Sequence, residues 1–263
     1  MKKAYTDREN FLRKKKLNKI KIVSLQISIL VVFIGLWELL TVVGAIDSFF
    51  VSSPSRIIKC IGETENLWMH IQTTLLECIY GFVISSLIGL ITAIILWYSE
   101  TTRRVLEPYI VVLNSLPKIA LGPLIIIWVG IGTKAIVVMT FLICIIVAII
   151  SFLNGFLACD EDKILLLKSM GANKFQILVK LILPGSIPNI ISVLKVNVGL
   201  AWVGTIMGEY LVSSAGLGYL IIFGGQIFQL DLVMMSTVIL CFLAALMYFI
   251  IALAEKYIKR KRS

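Results

Sequence analysis

The sequence predicts an all-α integral membrane protein of about six transmembrane helices, both termini cytoplasmic, with one structured cytoplasmic loop. Three observations lead there. Of 263 residues, 59% are hydrophobic and only 15% charged, and the mean hydropathy is +0.98. Soluble domains carry about a quarter charged residues, so too few polar side chains are present to clothe one ordinary core. The apolar residues fall in unbroken runs of about 20 or more, each enough to cross roughly 30 Å of hydrocarbon as a helix. Finally, the basic residues gather at the ends of those runs. This excludes a water-soluble single domain and a disordered chain, and it leaves no room for a sizeable soluble enzyme domain.

The first 21 residues are polar and hold nine Lys or Arg. The run Ile22–Ile46 that follows is too long for a signal-peptide core and has no clean cleavage site after it, so it reads as a retained first span. The other predicted spans are Thr73–Tyr98, Pro108–Val129, Ala135–Phe156, Asn189–Val212 and Leu232–Ala254. Strands are excluded because the runs are continuous rather than alternating. Twenty of the 25 Lys and Arg lie in the N-terminal tail, in the loops 99–107 and 157–188, or after Ala254. The opposite loops hold Arg56, Lys59 and Lys134, so the positive-inside rule places both termini and the 157–188 loop in the cytoplasm. The expected organisation is a basic tail over 1–21, a membrane domain over 22–255 and a basic tail over 256–263. The formal charge of +10 is thus read as orientation in a lipid bilayer, not as a nucleic-acid surface. Five scattered cysteines form no CxxC pair, and the single His70 rules out a multi-His metal site.

The loop 157–188 is long and not Gly/Ser-rich. It reads as two short helices. The first covers Asp162–Met170, with Gly171 as the left-handed residue that closes it. Asn173 with Gln176 three residues on forms a capping-box pattern. The second helix covers Lys174–Leu183 and is expected to end at Pro184. Phe175, Leu178, Leu181 and Ile182 recur at helical spacing and predict an apolar face opposite Lys174 and Lys180. Such a loop either packs under its own bundle or docks on a partner.

The stretch from Ser169 to Pro188, SMGANKFQILVKLILPGSIP, resembles the Glu-Ala-Ala loop of the membrane-spanning subunits of binding-protein-dependent, ATP-driven importers (ABC permeases). Gly171 falls on the signature glycine, and Ile182-Leu183-Pro184 on its hydrophobic end. Leu165-Leu166-Leu167 stand where the family often has Glu-Ala-Ala. Ser115-Leu116-Pro117-Lys118-Ile119-Ala120, Pro123-Leu124, Trp128, Gly130-Ile131-Gly132, Trp37-Glu38-Leu39, Ser53-Pro54-Ser55, Gly208-Glu209 and Gly216-Leu217-Gly218-Tyr219 resemble the nitrate/sulfonate/taurine branch. The resemblance implies a coupling loop seated on a separate ATPase subunit, present in two copies. It also implies an external solute-binding protein and a permease homodimer around one shared path. Lys168, Ser169, Met170, Gly171, Ala172 and Lys174 are the expected docking surface, with Leu183 and Pro184 holding the loop to the bundle. The implied cargo is a nitrate-, sulfonate- or taurine-like anion, with a thiamine-precursor or riboflavin-like solute as the alternative.

No G-x-x-x-x-G-K-[ST] phosphate loop is present, so energy enters through a partner. No cofactor, catalytic residue or metal site is expected. Polar groups within spans are costly unless they pair or face a cavity. Asn114, Ser115 and Lys118 lie beside Pro117, with Pro123 after, which predicts a broken third span. The fifth span carries Lys195, Asn197, Thr205 and Glu209. These seven residues are the candidate translocation path. Lys195 has a second reading, snorkelling to the interface, and Gly204/Gly208 form a GxxxG whose common use is helix packing. Gly216–Gln229 reads as a re-entrant or interfacial turn near the outer gate. A gradient-driven transporter would be favoured by repeated halves or an ion site, and a membrane enzyme by clustered acid–base residues. The sequence has neither.

Overall fold

The computed structural model describes residues 7–262, and every regular element among them is helical. In chain order these are α1 Asp7–Val42, α2 Ser48–Val51, α3 Pro54–Glu63, α4 Leu67–Tyr98, α5 Glu100–Ser115, a 3-10 turn Lys118–Leu121, α6 Gly122–Val129, α7 Thr133–Leu157, α8 Glu161–Ser169, α9 Lys174–Ile177, a π-helical turn Leu178–Ile182, α10 Leu183–Val212, α11 Leu217–Gln226 and α12 Leu230–Arg262. Five stretches are long and apolar enough to span a membrane: Lys14–Val42, Leu67–Tyr98, Thr133–Leu157, Lys174–Val212 and Leu230–Ile258. The pair Glu100–Ser115 and Lys118–Val129, bent by 84°, supplies a sixth when counted as one span.

Several expected boundaries move. The basic residues before Ile22 are helical back to Asp7, because Lys, Arg and Glu are good helix formers and extend a helix already nucleated. The loop expected at 99–107 is the first half of α5, capped by Ser99, whose hydroxyl accepts from Thr102 N–H at 3.2 Å. The break expected in the third span sits at Leu116-Pro117. Leu116 is extended (φ −67°, ψ 135°), as a residue before proline tends to be, and Pro123 enters the first turn of α6.

The chain divides into two compact units. The first runs up to Thr64 and includes Gln229–Met235. Here Ser53 caps α3, with Pro54 at its start, a position that needs no N–H. The Glu38 carboxylate of α1 accepts from Ser55 N–H and Oγ (3.1 and 2.8 Å), and Trp37 Nε1 donates to the Ser52 carbonyl at 3.3 Å. Arg56 forks onto Asp231 Oδ2 through Nε and Nη2 (3.0 and 2.7 Å), and its Nη1 reaches Ser48. The Trp37-Glu38 and Ser53-Pro54-Ser55 motifs are therefore two halves of one tie.

The second unit covers Glu65–Phe228 with Ser236 onward. Its centre is the three-helix packing of α4, α7 and α10. Lipid supplies no hydrophobic drive between helices, so close approach and interhelical hydrogen bonds hold such bundles. Gly81 and Gly204 both lie against Thr140, Gly89 against Ala148, and Gly208 against Ile136, where a Cβ would meet the Ile136 Cα at 3.0 Å. The Gly204/Gly208 pair is thus used inside the chain, against α7. Thr140 and Thr205 hydroxyls meet at 3.0 Å, and Asn197 Nδ2 donates to Ser86 Oγ at 3.4 Å. Nearer the 157–188 loop, Leu96, Phe152, Phe156, Ile177, Leu178 and Ile182 form one buried cluster.

Candidate functional site

At one end of the bundle, α8 begins at Asp160, whose carboxylate accepts from Asp162 N–H at 3.0 Å. It ends in a two-bond left-handed closure. Gly171 N–H donates to the Lys168 carbonyl at 2.9 Å and Ala172 N–H to the Leu167 carbonyl at 3.0 Å, with Gly171 at φ +80°. This is the pairing that satisfies the last carbonyls of a helix through a glycine. The reciprocal cap follows at once: Asn173 Oδ1 accepts from Gln176 N–H at 2.8 Å and Gln176 Oε1 from Asn173 N–H at 2.9 Å.

The second loop helix does not stop at Pro184. It passes through the π-helical turn into α10, with Pro184 in the first turn of that helix, where a proline is tolerated. The loop is thereby a direct extension of the fifth span. The packed face also differs from the expected one. Ile177, Leu178 and Ile182 are buried, with Leu181 half-buried, whereas Phe175 is 63% exposed. Ile177 lies four residues before Leu181, and that spacing was the available signal. Phe175 instead joins Leu165 (66% exposed), Leu166 and Met170 (74%) as uncovered large apolar groups on the helix-turn-helix. Lys168, Ser169, Gly171 and Lys174 are exposed as well, while Ala172, Leu183 and Pro184 are half-buried. Lys174 Nζ also reaches the Tyr98 carbonyl at 3.5 Å, at the end of α4.

The seven candidate path residues separate into three groups. Asn114 and Ser115 are exposed at the end of α5, and Lys118 beside them donates to the Asn114 carbonyl at 3.1 Å. Lys195 is ion-paired with Glu255 of α12 and lies 5.7 Å from the Tyr248 ring centroid. Asn197, Thr205 and Glu209 are buried among α4, α7 and α11 rather than lining open space. In each, one polar atom is engaged inside the chain, Thr205 Oγ1 with Thr140, Asn197 Nδ2 with Ser86 and Glu209 Oε2 with Gly218 N–H, while Asn197 Oδ1 and Glu209 Oε1 are buried without such a bond.

At the other end of the second unit, α11 is held by three side chains that sequence reasoning did not bring together. Gly216 N–H donates to His70 Nδ1 at 3.0 Å, Leu217 N–H to Thr74 Oγ1 at 2.7 Å, and Gly218 N–H to Glu209 Oε2. These are the unsatisfied amides at the start of a helix. Gly216 stands at φ +113°, and a Cβ on it or on Gly218 would run into Glu209. The glycines of the 216–219 motif are therefore required by the carboxyl they enclose. His70 stacks on Tyr219, and Tyr219 on Phe223, with centroids 6.0 and 5.9 Å apart. With ten residues, α11 is too short to cross a bilayer.

Residues 85–263 match the family model described as "Binding-protein-dependent transport system inner membrane component". A probable ABC transporter permease protein of Haemophilus influenzae is 31% identical over 219 residues, covering 83% of this chain and 89% of that protein. The taurine transport system permease protein of Escherichia coli is 25% identical, covering 86% and 85%. Among solved structures, an inward-facing MetNI methionine ABC transporter chain superposes with a TM-score of 0.66 at 20% identity, over 74% of this chain and 98% of that one. Its likeness supports the all-α integral membrane fold. The chain therefore belongs to the family of inner-membrane components of binding-protein-dependent transport systems, as a non-catalytic, multi-pass permease component of an ABC-type importer that works with an ATPase and a solute-binding protein.

Proposed function

We propose that two copies of this chain enclose one path for a small anion of the nitrate, sulfonate or taurine kind, each copy presenting its 157–188 loop to one of two cytoplasmic ATPase subunits. The observation that carries the reading is the loop itself. It is capped on both sides of Gly171, continuous with α10, and bare of cover over Leu165, Leu166, Met170 and Phe175. Uncovered apolar groups on a rigid, water-facing element mark an interaction surface. The Lys and Arg distribution supports the cytoplasmic placement of both termini and of the loop.

Leu165 and Leu166 replace polar or small family residues, so the matching groove on the ATPase is expected to be apolar there. Asn114, Ser115 and Lys118 at the 84° bend are the path-lining candidates that keep exposed surface. Lys118 supplies a positive charge suited to an anion. The relatives' names support the solute class.

The experiment is reconstitution of the permease with the ATPase and the binding protein encoded beside it. Taurine, an alkylsulfonate or nitrate is expected to stimulate ATP hydrolysis through the loaded binding protein. Stimulation by a pyrimidine thiamine precursor or riboflavin alone would overturn the solute class. Solute uptake without the ATPase would overturn the coupling.

A further inference from the structure

We propose that Glu77 and Glu209 form a buried proton-binding site, one proton held between two carboxyl groups, which secures the root of α11. Glu77 on α4 is 1% exposed and Glu209 on α10 is 2% exposed, and their side chains lie within hydrogen-bonding reach of each other. Among the described residues, no Lys or Arg forms an ion pair with either. An ionised carboxylate has only acceptors, so two of them in contact bond to each other only when one carries a proton. Two bare negative charges in an apolar interior repel and lack hydration.

One oxygen of each residue, Glu77 Oε2 and Glu209 Oε1, is buried without a donor or acceptor from other groups. A shared proton supplies what both lack. Each carboxyl also meets a donor, Glu209 Oε2 the Gly218 N–H at the start of α11 and Glu77 the Thr133 side chain at the start of α7, so the proton belongs to the pair and not to either residue alone.

The groups facing the pair add no rival cation. His70 on α4 accepts from Gly216 through Nδ1, so that nitrogen carries no proton and the ring is neutral. Thr133 at the start of α7 is within hydrogen-bonding reach of Glu77. Cys78 on α4 and Tyr210 on α10 are the other titratable neighbours of Glu209, with Cys144 on α7 beside Cys78 and Tyr219 of α11 stacked on His70. Loss of the shared proton leaves two carboxylates that must separate. Glu209 fills the space against Gly216 and Gly218, so its displacement frees the first amides of α11.

The test uses the full chain in lipid nanodiscs and needs neither solute nor ATP, so its outcome is separate from that of the transport assay. Infrared spectra in H2O and D2O are expected to show a protonated-carboxyl carbonyl stretch at neutral pH. The band should vanish on alkaline titration and be absent in Glu77→Gln, where the amide donates to Glu209 in place of the proton. Hydrogen exchange over residues 216–218 at matched pH should then show wild type losing protection at alkaline pH while Glu77→Gln retains it. Absence of the band in folded wild-type protein, or its survival at full intensity in Glu77→Gln, overturns the proposal. If Glu77→Gln does not insert, the wild-type titration decides alone.

Discussion

Substitution at Gly171 separates backbone geometry from side-chain chemistry, because nothing lies within 4 Å of a Cβ built there. The cost of a side chain at this position is conformational and not steric. Gly171 sits at φ +80°, a region that disfavours L-residues by about 1–2 kcal/mol. Alanine therefore lowers the ratio of closed to open turn by a factor of roughly 5–30. Asparagine, which tolerates the left-handed region, costs less. Proline is held near φ −65° and has no N–H, so it forbids the turn and removes the 2.9 Å bond to the Lys168 carbonyl. The expected order of solute-stimulated ATPase activity in the reconstituted complex is glycine, then asparagine, then alanine, with proline inactive, at equal membrane insertion. The core beneath the loop (Phe152, Phe156, Ile177, Ile182) does not involve this residue, so thermal unfolding of the bundle should move little. Wild-type coupling in the proline variant would refute the docking assignment. Equal loss in all three variants would refute the backbone argument.

Two further outcomes follow from the polar residues of the fifth span. Thr205→Val removes the hydroxyl pair with Thr140 and should cost about 0.6 kcal/mol, the mean for hydrogen bonds between membrane helices, and no more than about 1.7 kcal/mol, read as a lower unfolding midpoint in detergent; an unchanged midpoint with altered solute affinity would place Thr205 on the path. Reversing the α10–α12 ion pair tests Lys195: Lys195→Glu should lower thermal stability and Glu255→Lys should restore it in the double variant, whereas loss of anion transport in the stable double variant would show that the charge at 195 serves the solute.

Much of the architecture was legible, and the reasons differ by element. Apolar runs of bilayer length mark spans because no other element satisfies backbone groups in lipid. Gly171 and the Asn173–Gln176 box were legible because capping is local: every atom involved lies within a few residues. The break at Pro117 was legible for the same reason. The start of α5 was not, since Glu100-Thr101-Thr102-Arg103-Arg104 is polar in a loop and polar on a helix alike. The path residues show the deeper limit. A polar residue within a span signals only that it does not face lipid. Whether Thr205 meets a solute or a second threonine depends on Thr140, 65 positions away, and whether Asn197 meets Ser86 depends on a register of two helices 111 positions apart. The tie between Glu38 and Ser55 and the enclosure of Glu209 by Gly216 and Gly218 likewise arise only when separate motifs are brought together.

The continuity of the loop with the fifth span gives the molecule a mechanical axis. The helical stretch Lys174–Val212 has 39 residues, about 58 Å at 1.5 Å per residue. It begins one turn from Gly171 and ends three residues beyond Glu209. Its weak stretch is also plain: the π-helical turn Leu178–Ile182, then Pro184, Gly185 and Pro188, the features at which helices bend. Left alone, that stretch would absorb a push on the loop. It is instead pinned to α7 on both sides of Pro188, by Ser186 Oγ donating to the Gly155 carbonyl at 3.2 Å and Asn189 Nδ2 to the Ser151 carbonyl at 3.1 Å. Further along, Gly204 and Gly208 bring the same two helices into backbone contact at Thr140 and Ile136. A displacement applied at the Gly171 turn would thus be handed to the α7–α10 pair together, and the far end of that pair is where Glu209 grips α11.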